Sequence, residues 1–123
     1  MGEAHVIYRL LGELEIGEGG RLLRLPSGVT LVMLAALLVN ANRQISKTEL
    51  IRTAWGDDSA SEAQLHKRVN EVRALLGQVG RRADLATHHG FGYELRVPPG
   101  DVDALLFQHL VREAARAEAE HRT

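Results

Sequence analysis

Residues 61–77 read SEAQLHKRVNEVRALLG, and the way this stretch sorts its side chains decides the fold. Leu65, Val69, Val72 and Leu76 recur at intervals of four, three and four, which on a helix makes one narrow apolar stripe. The opposite side carries Gln64, Lys67, Arg68, Glu71 and Ala74, with His66, Asn70 and Arg73 on its flanks. A helix is therefore expected from about Glu62 to Leu76, ended by Gly77. Its outer side chains are long, polar and mostly cationic, the composition of a helix that enters a nucleic-acid major groove. Taken alone, the same pattern also describes an amphipathic surface helix.

Working towards the N-terminus, Asp57 to Ser61 reads as a polar loop and Gly56 as the stop of a preceding helix. That helix has a clear start. In Ser46-Lys47-Thr48-Glu49 the serine is placed to accept the Glu49 amide and the glutamate to reach back, as in a capping box. Ile45 and Leu50 stand where a hydrophobic staple would join them, and Leu50, Ile51, Ala54 and Trp55 form one apolar face. Ser27 to Val39 is apolar almost all round and so is expected to be the central core helix, with Asn40 and Asn42 suited to its C-terminal turn. Before it, His5 to Ile16 alternates loosely and Arg21 to Leu25 is a second short strand, with Gly17 to Gly20 as the turn between them. This glycine cluster lacks the Gly-Lys-Ser/Thr ending of a phosphate loop.

Working towards the C-terminus, Asp84 to His88 and Phe91 to Val97 read as strands joined at His89-Gly90. Gly90 and Gly92 are available for positive backbone angles in a tight hairpin. Pro98-Pro99-Gly100 breaks the structure. A further helix is expected from Asp101 or Asp103, with Leu105, Leu106, Leu110 and Val111 apolar.

The composition narrows the function. A chain of 123 residues suits one domain, and 45% apolar residues is a globular content. Cysteine is absent, which excludes disulfides and thiolate zinc sites and fits a reducing, cytoplasmic setting. The longest mainly apolar run, Val29 to Val39, spans 11 residues and is too short to cross a bilayer. Net charge is −1, yet residues 43–82 hold eight Lys/Arg against five Asp/Glu, so the one basic third contains the cationic helix. His66, His88 and His89 lack a carboxylate or thiolate at ligand spacing, and His88 and His89 should point to opposite strand faces, so no metal is expected. No nucleophile motif is present, so no enzyme and no cofactor are expected.

Two helices joined by a short polar loop and followed by a hairpin make a winged helix. The stretches LLVNANRQISKTELIRTAWGDD (37–58), LHKRVNEVRALLG (65–77) and THHGFGYELRV (87–97) resemble the winged-helix domain of OmpR/PhoB-type regulators. VIYRLLGELEIGEGGRLLRL (6–25) resembles the opening hairpin of the antibiotic regulatory protein (SARP) group. DVDALLFQHLVREA (101–114) resembles the lead into that group's activation domain. The resemblance implies an α+β winged helix-turn-helix with a four-stranded N-terminal antiparallel sheet (within 5–26), three helices (27–77) and a β-hairpin wing (83–98). Together these would make a DNA-binding domain over 1–99, with a C-terminal helix or linker over 100–123.

It also implies that the third helix docks in the major groove of double-stranded DNA and the wing at the minor groove, in a bacterial transcription regulator. Gln64, Lys67, Arg68, Asn70, Glu71, Arg73 and His89 are the implied DNA-binding residues. Lys67 and Arg73 are expected on phosphates, joined by Arg43, Arg81 and Arg82, with Arg68 and Asn70 as base readers. The 55–61 loop is the implied contact with RNA polymerase, and a homodimer on DNA is implied as well. Glu71 and His89 stand where arginine is usual in the family. Together with the acidic C-terminal third (residues 83–123, four Arg against seven Asp/Glu), they motivate a second expectation, a winged helix that binds protein and has lost DNA binding.

Overall fold

The computed structural model describes residues 5–9 and 14–103. The elements run β1 (Val6–Arg9), β2 (Glu15–Glu18), β3 (Arg21–Leu22), α1 (Val29–Val39), β4 (Ile45–Ser46), α2 (Lys47–Trp55), α3 (Glu62–Gly77), β5 (Leu85–His88) and β6 (Gly92–Leu95). Single 3₁₀ turns lie at Arg82–Asp84 and Pro99–Asp101. The C-terminal helix expected beyond Asp103, with its Leu105, Leu106, Leu110 and Val111, lies outside the described residues.

The first three strands form an antiparallel sheet in the order β1-β2-β3, with Val6 opposite Glu18 and Gly17 opposite Leu22. Among the described residues this sheet has three strands, where the family resemblance implied four. Its β1 edge is met instead by the segment that leaves the wing. Val102 makes a parallel bridge with Tyr8, and Asp101 lies 2.8 Å from the His5 ring.

α1 sits at the centre because its sequence leaves almost no polar face to show to water. Met33, Leu34, Leu37 and Leu38 are buried against α2 and α3, although Val32 and Val39 stay exposed. The helix ends at Asn40, and Asn42 takes the left-handed conformation (φ 68°). The Asn42 side chain then acts as a strand neighbour. Its amide nitrogen donates to the Val97 carbonyl at 2.8 Å and its oxygen accepts the Val97 amide at 3.0 Å. One residue thus ties the α1–β4 turn to the far end of the wing.

α2 starts where the sequence indicated, with the Ser46 hydroxyl accepting the Glu49 amide. A reciprocal capping box closes the first turn of α3: Ser61 accepts the Gln64 amide at 3.2 Å and Gln64 accepts the Ser61 amide at 2.8 Å. Leu65, Val69, Val72 and Leu76 are all buried, as their spacing required, and Leu75 joins them.

The wing is a three-stranded sheet of order β4-β6-β5. β5 and β6 are the expected hairpin, with Leu85 opposite Leu95 and Thr87 opposite Tyr93. The two-residue β4 pairs Ile45 with Tyr93 and Ser46 with Gly92. A strand this short carries no period by which its sequence could announce it. It fixes the wing root to the start of α2, where the Lys47 amide also donates to the Phe91 carbonyl at 3.0 Å.

Candidate nucleic-acid interface

The outer side of α3 and the inner side of the wing enclose a cleft of about 320 Å³. Its lining includes Lys47, His66, Asn70, Arg73, Thr87 and His89. Three elements supply them. α3 contributes His66, Asn70 and Arg73 because residues three and four apart share a face. The capped N-terminus of α2 brings Lys47, and the hairpin brings Thr87 and His89. The turn carrying His89 is tight because Gly90 adopts φ 81°.

Apart from Arg73, the expected DNA-binding residues divide into three groups. Lys67, Asn70 and His89 are exposed, and Asn70 and His89 share the cleft. Gln64 is exposed, but its carbonyl oxygen is taken by the Ser61 amide, so this side chain closes the helix start. Arg68 and Glu71 form the third group. They pair with each other at 3.2 Å, and Glu71 accepts a hydrogen bond from the buried Thr30 hydroxyl in the first turn of α1. Glu71, expected among the DNA-binding residues, is half-exposed, and its hydrogen-bond partners are Thr30 in α1 and Arg68 one turn earlier on α3. A carboxylate beside a helix N-terminus is also favourably placed in the field of the backbone dipoles.

Electrostatics agrees with this placement. The Thr30 hydrogen bond chiefly holds the Glu71 carboxyl below the usual carboxylate range; burial opposes it, and Arg68 and Lys67 add smaller lowering effects. A depressed carboxyl stabilises the fold above its unfolded-state value, and that contribution is lost as pH falls through the folded value. Thr30→Val removes the donor and keeps the shape. The Glu71 titration, followed by carboxyl carbon NMR, should then move up towards the ordinary range; an unchanged titration would assign the depression to Arg68 instead.

Arg73, expected on a phosphate, is half-buried and committed to the wing. Its Nη2 donates to the Leu85 carbonyl at 3.2 Å and to the Thr87 hydroxyl, and its guanidinium stands 5.9 Å from the Tyr93 ring centre. His88 ends β5 and His89 begins the turn that follows it. His88 lies 2.8 Å from Glu94, while His89 is exposed at the turn. Arg43 pairs with the Asn40 side chain, away from the residues lining the cleft.

Lys47, His66 and Thr87 were not among the DNA-binding residues expected from the sequence. Lys47 lies 3.1 Å from Glu62 at the start of α3. Its place beside the reading face follows from the β4–β6 pairing, which has no sequence period. His66 was readable, since it lies four residues before Asn70 on the same face.

The family described as "Transcriptional regulatory protein, C terminal" matches residues 27–95. Regulatory protein AfsR of Streptomyces griseus is 31% identical over 114 residues, covering 91% of this chain and 11% of that protein. Transcriptional regulatory protein EmbR of Mycobacterium tuberculosis is 33% identical over 107 residues, covering 82% of this chain and 27% of that protein. The structure of EmbR in complex with a low-affinity phosphopeptide superposes with a TM-score of 0.74 at 30% identity, over 84% of this chain and 28% of that one. The DNA-binding domain of Escherichia coli CadC shares the fold, with a TM-score of 0.59 at 24% identity, over 68% of this chain and 79% of that one. The chain thus spans only a small part of the two regulators it matches. Among the described residues, no helix is long and apolar enough to cross a membrane.

Proposed function

Since the chain belongs to the family of transcriptional regulatory protein C-terminal domains, the OmpR/PhoB type of winged helix, we propose that it is the DNA-binding module of a bacterial transcription regulator. α3 lies in the major groove and the β5–β6 wing at the neighbouring minor groove. The observation that carries this reading is the exposed row of His66, Lys67 and Asn70 on α3, set against His89 at the wing turn.

In this reading the side chains have different tasks. Asn70 is the base reader, because its amide matches the N6 and N7 of adenine. Lys67 and Lys47 bind phosphate. Arg68, held by Glu71, is the lesser base contact. The interaction-only alternative is weakened at one of its three motives, because Glu71 is paired with Thr30 and Arg68 within the fold.

The 55–61 loop is the surface for RNA polymerase. Its acidic Asp57 and Asp58 are exposed, although Arg52 binds Asp58 at 3.1 Å. The protein works in the cytoplasm, as pairs on neighbouring half-sites.

The test is a mobility-shift titration of fragments selected from the host's genomic DNA, at two salt concentrations. Log affinity should fall with log salt by about 0.9 per phosphate contacted. Binding that is absent, or indifferent to salt, on every fragment and on duplicated sites would refute the proposal.

A further inference from the structure

A two-stranded hairpin is marginal by itself, so the angle of a wing depends on what braces it. On one side the brace is β4, paired to β6. On the other side is α3, and there the polar contact is Arg73. Its Nε and Nη2 reach the Leu85 carbonyl at 3.4 and 3.2 Å, its Nη2 also meets the Thr87 hydroxyl, and its face stands over Tyr93. One planar guanidinium therefore touches β5 at two points and β6 at a third. Lysine, with a single point charge, cannot reproduce that fork.

We propose that Arg73 is a positioning residue that sets the wing against the reading helix, acting through Thr87. It thereby holds the spacing between Asn70 in one groove and His89 in the next. The proposal rests on the DNA-binding reading above. The wing root is buried through Leu85, Tyr93 and Leu95, apolar packing that the Arg73 hydrogen bonds do not supply. Loss of Arg73 therefore loosens the tip without unfolding the domain. Binding in two grooves must then order the tip at the moment of association, which costs affinity.

Arg73→Lys, Thr87→Val and the double variant test this in the full chain. Without DNA, hydrogen exchange at the Phe91 amide, which donates to the His88 carbonyl at 3.0 Å, should quicken several-fold in each variant while the α1 amides keep their rates. With a fragment that the parent protein binds, both single variants should bind about tenfold more weakly, as loss of a charged hydrogen bond gives. The double variant should be little worse than either, because both changes cut one connection. Footprints should lose minor-groove protection and keep protection of guanine N7 in the major groove.

A Thr87→Val variant with parental exchange and parental affinity overturns the proposal and makes Arg73 a direct phosphate contact. Additive losses in the double variant overturn it too. If the parent protein binds no DNA, the function reading fails, and the exchange rates alone still decide whether the brace exists.

Discussion

Gly92→Ala is expected to separate β4 from β6 and to destabilise the domain by about 3 kcal/mol, the upper end of what overpacking costs. A Cβ at this position would stand 2.0 Å from the Ile45 carbonyl oxygen and 2.9 Å from both the Ile45 carbonyl carbon and the Ser46 Cα. All three neighbours are backbone atoms, so no rotamer change relieves the overlap. Either β4 leaves the sheet or β6 bends away. Each route unpairs Ile45 from Tyr93, two side chains that are only 2% exposed.

Gly90 is the control. It is the residue with φ 81°, and nothing lies within 4 Å of an added Cβ. Gly90→Ala should therefore cost only the left-handed backbone penalty, about 1–2 kcal/mol. Urea midpoints for the two variants test the ordering; a Gly92→Ala midpoint near that of the parent would mean β4 and β6 are not held this closely.

That pair of glycines also shows what can be read from a sequence. Both looked like turn residues, and only Gly90 takes a positive φ. The need for glycine at 92 comes from a strand 46 positions earlier that is two residues long and carries no period. α3 was legible almost to the residue because four buried positions repeat over a long stretch, and repetition averages out local ambiguity. The fate of its polar side was less legible. Arg68 and Glu71 were placed among the outward side chains, and Glu71 is also held by the Thr30 hydroxyl of α1, 41 positions earlier in the sequence. Ser61-x-x-Gln64 carries a capping signature like that at Ser46, so the spacing of these two residues was enough to reveal the role of Gln64. The cleft had no such local signature, since its lining joins α2, α3 and the wing.

The same helix offers a second large effect that separates folding from binding. Leu65 is fully buried in the first turn of α3, while Lys67, two residues on, is exposed. Leu65→Ala should destabilise by about 3–5 kcal/mol, the transfer cost of the lost carbons plus that of the cavity they leave. For a domain of this size that lowers the melting temperature on the order of 15 °C. Lys67→Ala removes no core contact, so stability should change by no more than about 0.5 kcal/mol. Its effect should appear on DNA, where one fewer phosphate contact reduces the salt slope by about 0.9. At temperatures where Leu65→Ala is still folded, its slope should equal that of the parent, because the cationic face is untouched. Melting curves and salt titrations on the two variants test this assignment of faces. It fails if Lys67→Ala melts early, or if its salt slope stays at the parental value.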